Sequence, residues 1–307
     1  MNTKSGTIFL FLFILLVCSA DAGDLQSIQT SNVEVHFNAA LKPAADEVLN
    51  LYPGIKRNLE SLFMWRLESK PSILLIPTRE QFLKISGDPL VIAFAVPEQN
   101  LIVIDYSKII TRPFSMEATL KHELCHLLLH RHIKRENFPK WMDEGLCQWV
   151  SDGIGEIIVV QKNALLHRAS LTKRFIPLGE LHREFPADER SRLLAYEESK
   201  SFVTYLVDRF GRERFIDALN HMKEGNTAGA AIQSAFSIPV ENLEKEWHHS
   251  LKSKLTWFTF LSYNLYEILF VLMAVITVLA FIRLYFRKKN YVDDDDPEER
   301  DSDDTIH

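Results

Sequence analysis

The chain has 307 residues, 47% of them hydrophobic, and a formal charge of −6. That length carries one large domain or two small ones with ample core. The charge is concentrated: residues 293–304 hold nine acidic side chains against Arg300, so the rest of the chain carries +2, and with no basic stripe a nucleic-acid partner is excluded.

In chain order, residues 1–22 read as a secretory signal peptide. Lys4 supplies the positive start, 8–17 the apolar core, and Ala20-Asp21-Ala22 a small-x-small cleavage site. Residues 23–254 then form the expected extracytoplasmic domain. Alternation predicts a strand over 33–37. Residues 44–65 read as helical, with a break at Pro53-Gly54. The apolar run 72–76 between Pro71 and Pro77 reads as a buried strand, and 78–85 as a short helix capped by Thr78. Two strands, 91–96 and 101–105, are joined by the turn residues 97–100, which predicts a hairpin.

The next stretch carries the chemistry. Residues 121–126 read Lys-His-Glu-Leu-Cys-His, an H-E-x-x-H motif. Ser115 suits an N-cap, Glu117 the first turn, and Leu120, Leu124, Leu127 and Leu128 an apolar helical stripe. Residues four apart share a helix face, so His122 and His126 close on one zinc ion. Glu123 sits beside that face, where a carboxylate takes a proton from a water activated by the metal. A catalytic zinc site needs a third protein ligand and an open position. His132 lies at the spacing of H-E-x-x-H-x-x-G-x-x-H, but Leu129 stands where that pattern needs glycine to turn the chain. The helix therefore continues and carries His130 and His132 away from the metal. Glu144 is the better third ligand: Pro139 ends the first helix, and 141–150 reads as a second, antiparallel helix whose first turn faces back. Cys125 and Cys147 lie on these two helices and are candidates for a disulfide stapling them in an oxidising compartment. Gln148, one turn past Glu144, is placed to orient a ligand.

Residues 156–171 read as a helix and 174–186 as a loop, with no functional role evident for His167 or His182. In 195–211, Phe202, Tyr205, Leu206 and Phe210 make an apolar helical stripe stopped by Gly211. Three short helices follow over 212–223, 227–236 and 240–255. Strands first and helices after predict an α+β fold. Residues 259–283 are long and apolar enough for one transmembrane helix. Trp257, Tyr263, Tyr266 and Tyr285 suit the interfacial belts, and Arg287, Lys288 and Lys289 place the C-terminal side in the cytoplasm. Residues 284–307 are then a short acidic cytoplasmic tail. Signal and span agree on a single-pass protein whose helix contacts membrane lipid.

The pair H-E-x-x-H and Trp141-Met142-Asp143-Glu144-Gly145, with 18 residues from His126 to Glu144, resembles the gluzincin branch of zinc metallopeptidases. More broadly, residues 73–251 resemble the peptidase-MA-like domain and, distantly, the aminopeptidase N family. That resemblance implies a thermolysin-like peptidase domain, a small sheet followed by a helical part, with zinc on His122, His126 and Glu144, Glu123 as general base, and a peptide or protein as substrate. It also implies a strand bordering the cleft, 93–96 or 101–105, that pairs with extended substrate. The segment from Tyr196 to Ser199 resembles the Y-x-x-G/S helix whose tyrosine donates to the tetrahedral oxyanion, a role that falls to Tyr196. Ser199 and Glu198 depart from the aminopeptidase pattern. The amine-binding G-x-M-E-N segment is missing too, with only Val96-Pro97-Glu98-Gln99-Asn100 before the zinc helix. Endopeptidase is thereby favoured over aminopeptidase. By resemblance the location is the bacterial inner membrane, with the domain in the periplasm. The rival reading is an inactive gluzincin-fold binding or scaffold protein, which the retained Glu123 argues against.

Overall fold

The computed structural model describes residues 25–111, 114–151, 164–263 and 265–292. The signal segment, residues 293–307 of the expected acidic tail and the first half of the 156–171 helix lie outside them, while residues 284–292 of that tail are helical. Two compact units are distinguished, residues 1–249 and 250–307.

The first unit begins with a mixed five-stranded sheet, β1 (Leu25–Gln29), β2 (Glu34–Asn38), β3 (Ser72–Ile76), β4 (Ala93–Val96) and β5 (Leu101–Asp105), in the order β1-β2-β3-β5-β4. β2, β3 and β5 run parallel, and β1 and β4 flank them antiparallel. β3 and β5 read as continuous apolar runs because both faces are covered, whereas β2 alternates. Leu74, Ile76, Leu101 and Val103 pack with Phe82 on one face, while Ile73, Leu75, Ile102 and Ile104 are buried on the other. β1 is absent from the sequence reading, since its polar residues and exposure give no alternation.

Helix α1 (Lys42–Phe63) runs unbroken through Pro53, against the expected break. Its buried stripe Val48, Tyr52, Ile55, Leu59 and Phe63 spans the proline, so packing outweighs the one hydrogen bond that Pro53 cannot donate. α2 (Arg79–Ser86) starts at Thr78, which accepts from Gln81 N, as expected. α3 (Tyr106–Ile109) leads to α4 (Met116–His132), which Ser115 caps by accepting from Ala118 N. α5 (Lys140–Val150) and α6 (Ala164–Thr172) follow. α7 (Glu189–Phe210) begins earlier than predicted, because Asp188 caps it by accepting from Ser191 N. Tyr196 therefore sits in its second turn and not at a helix start. α8 (Arg212–Lys223), α9 (Ala228–Phe236) and α10 (Val240–Tyr263) complete the chain order, with α10 belonging to this unit as far as His249.

α4 packs against α1, β4 and α5, and α5 packs against α7. Gly145 permits that last approach: a Cβ there would lie 2.4 Å from Ser199 O. Trp141, Phe202, Trp247 and Phe175 then form a chain of ring contacts at 5.2–5.7 Å.

In the second unit, α11 (Leu265–Val292) contains the one helix stretch, Leu265–Leu284, long and apolar enough among the described residues to cross a membrane, with mean hydropathy 2.6. Its apolar side chains are exposed, Phe270 and Phe281 among them.

Candidate active site

α4 brings His122 and His126 onto one face, one turn apart, as the spacing predicts. Their rings meet edge to face at 4.8 Å with the two Nε2 atoms 3.1 Å apart. α5 returns antiparallel after Pro139 and sets Glu144 Oε2 3.7 Å from each Nε2. A tetrahedral zinc ion with bonds of about 2.1 Å needs ligand atoms about 3.4 Å apart, a spacing that these three edges bracket. Glu144 Oε2 is buried and has no hydrogen-bond partner. A buried carboxylate oxygen left so is costly unless a cation meets it. The donor set therefore fits zinc.

The surrounding charges favour a cation as well. Burial pulls His126 down, but the Asp143 and Glu144 carboxylates beside it raise its pKa to about 10. Burial opposes ionisation of Asp143 and Glu144 also. His126 and His130 nevertheless hold Asp143 well below the usual carboxylate range, and Lys140 and His126 do the same for Glu144. Asp143 was not singled out from the sequence. It accepts from His126 Nδ1 at 2.6 Å and from His130 Nε2 at 2.9 Å, which fixes the His126 ring with Nε2 toward Glu144. His126, His130 and Asp143 thus form a second cluster that shares a ligand with the first. His122 is held from behind by Ser151, 3.4 Å from its Nδ1.

The residues weighed against Glu144 go elsewhere. His132 meets Arg66 O at 2.9 Å and lies tilted against the Trp65 ring at 4.9 Å, because α4 continues through Leu129. Cys125 and Cys147 are buried free thiols, so the disulfide considered for them is not formed. They meet as hydrogen-bonding neighbours, and burial together with Cys125 raises the Cys147 thiol well above its ordinary range. A protonated thiol is a poor metal ligand. Gln148 does not orient a ligand as expected; it donates to Tyr196 O at 3.3 Å and ties α5 to α7.

A cleft of about 540 Å³ opens over the site, with Glu123, His126 and Glu144 in its wall. Phe94, Ala95 and Val96 line the opposite side, so β4, the edge strand, borders the cleft, whereas β5 is interior. Glu98 lies at its rim, 3.7 Å from Arg135. His182 and Arg183 also line the cleft, a placement the sequence reading missed. The signal is structural: the carbonyls of Leu181 and His182 accept from Trp141 N at 3.1 Å and Lys140 N at 2.8 Å, so this loop caps the helix that carries Glu144. Tyr196 is buried on α7 with its ring edge-on to Phe185 at 4.8 Å. Ser199, small and under Gly145, is explained by helix packing.

The profile of the Peptidase MA superfamily matches residues 91–253, more than half of the chain. No curated protein matches by sequence. Among solved structures, yeast leukotriene A4 hydrolase in complex with bestatin is similar at 15% identity over 67% of this chain and 34% of that one, with TM-score 0.42. The native enzyme from Saccharomyces cerevisiae is similar at 14% identity over 66% and 33%, with TM-score 0.39. A further native yeast structure is similar at 13% over 76% and 37%, with TM-score 0.41. The chain spans about a third of the length of these structures. On the match over residues 91–253, the chain belongs to the Peptidase MA superfamily, whose gluzincin members depend on zinc.

Proposed function

We propose that the chain is a membrane-anchored, extracytoplasmic zinc metallopeptidase that hydrolyses peptide bonds. One observation carries this reading: His122, His126 and Glu144 aim three ligand atoms at one point in the wall of a cleft that Glu123 also lines. Zinc held there supplies a Lewis acid that polarises a carbonyl and lowers the pKa of a water. Glu123 takes the proton of the attacking water and hands it to the leaving amine. Asp143 keeps the His126 ring turned for ligation. Tyr196 donates a hydrogen bond from its phenol to the developing oxyanion, an assignment supported by the Y-x-x-G/S resemblance.

β4 ends the sheet beside the cleft, a position that suits an extended peptide pairing by main-chain hydrogen bonds. Endopeptidase is favoured over aminopeptidase. Glu98, in the segment that replaces G-x-M-E-N, faces Arg135 at the rim, so its charge is partly answered before a substrate amine arrives. The anchor rests on the 265–284 stretch, and the periplasmic side rests on the signal segment and the Arg287-Lys288-Lys289 cluster.

The test is cleavage of a denatured protein by the full-length chain in detergent, compared with Glu123→Gln. The variant keeps its zinc and loses about 10²–10⁴-fold in rate. Equal rates would remove Glu123 from the mechanism. Zinc without cleavage in the wild type, across varied substrates, would favour a gluzincin-fold binding or scaffold protein.

A further inference from the structure

We infer that Lys140 is a positioning residue that reserves one oxygen of Glu144 for the metal by occupying the other. This rests on the zinc site proposed above. A carboxylate has two equivalent oxygens and, unconstrained, turns to offer both to a cation. Both would fill two coordination positions, whereas a catalytic zinc site keeps one open. In this chain the oxygens are not equivalent. Glu144 Oε1 is ion-paired with Lys140 Nζ, at i,i+4 on α5, while Oε2 has no hydrogen-bond partner and stands 3.7 Å from each histidine Nε2.

The lysine is itself held. Its backbone N–H donates to His182 O at 2.8 Å, and the next residue donates to Leu181 O at 3.1 Å, so its stem leaves from a fixed first turn. Its side chain is 36% exposed against 1% for Glu144, which places a partly hydrated cation between cleft solvent and a buried ligand. The loop 181–183, the lysine and the ligand are thus linked in series. An ion pair on a metal ligand fixes its orientation, as outer contacts to ligands generally do.

The test uses cobalt(II) in place of zinc in the full-length chain, because its visible absorption is intense in four-coordinate sites and weak at higher coordination. Wild type, Lys140→Met and Lys140→Arg are compared. The expected result is intense absorption in the wild type, clear weakening in Lys140→Met as Glu144 turns both oxygens inward, and recovery in Lys140→Arg. Should Lys140→Met fail to fold, Lys140→Leu, which likewise lacks a donor, carries the same comparison. Wild-type intensity in folded Lys140→Met or Lys140→Leu would overturn the inference. A wild type that binds neither cobalt nor zinc would overturn the metal site beneath it, a distinguishable failure.

Discussion

The two walls of the cleft are built from different material. The sheet wall is one strand, β4, whose Phe94, Ala95 and Val96 are neighbours in sequence and whose position follows from a local hairpin with β5. The opposite wall is gathered from afar: Glu123 from α4, Lys140, Asp143 and Glu144 from α5, and His182 and Arg183 from a loop some forty residues later in the chain. The first wall offers backbone and apolar surface, and the second offers charge. The charged groups of the site are therefore brought together by the packing of α4, α5 and α7, and not by the sheet.

The largest effect is expected where that packing is tightest. Gly145→Ala puts a methyl group 2.4 Å from Ser199 O, a backbone atom that cannot swing aside. The expected loss is about 1–3 kcal/mol of stability in chemical denaturation, by overpacking. A variant as stable as wild type would break the contrast between the walls.

Asp143→Ala should come next. With its contacts to His126 and His130 gone, zinc affinity falls by about 10–100-fold in competition with a chromophoric chelator, while the fold persists. Unchanged affinity would mean that the His126 ring is held by packing alone.

A smaller, pH-dependent effect belongs to α7. Burial raises the Glu198 carboxyl from 4.5 to about 8, although Ile176 N donates to it, and Glu244 and Glu197 add to the rise. The folded state thus keeps this proton to higher pH than the unfolded chain. Stability from this group is complete below about 4.5 and is lost as pH rises toward 8, since the unfolded carboxyl ionises first. Thermal melts should fall across that window in the wild type and fall less in Glu198→Gln. Parallel curves would remove Glu198 from the account.

Much of this was legible in the sequence where the determinants are local. The caps Ser115 and Thr78, the strands 72–76 and 101–105, the hairpin and the motif histidines all follow from neighbours within a few residues. Glu144 was legible because Pro139 and helix geometry limit where its carboxylate can face. Asp143 and His182 were not, because each acquires its role from a partner on another element or from the capping of α5 by a distant loop; Lys140 pairs locally with Glu144 at i,i+4, and it is the fixing of its first turn by residues 181 and 182 that no local pattern shows. The unbroken α1 was missed for a related reason: its buried stripe outweighs the local cost of Pro53, and burial is not visible to a propensity argument.

On the proposed function, α4 and α5 together hold one zinc ion. The most direct measurement is metal content of the purified full-length chain, wild type against Glu144→Ala. One zinc per wild-type chain is expected, and its loss in the folded variant. Zinc retained at full stoichiometry without Glu144 would contradict the ligand set, and a folded wild type that takes up none would contradict the site.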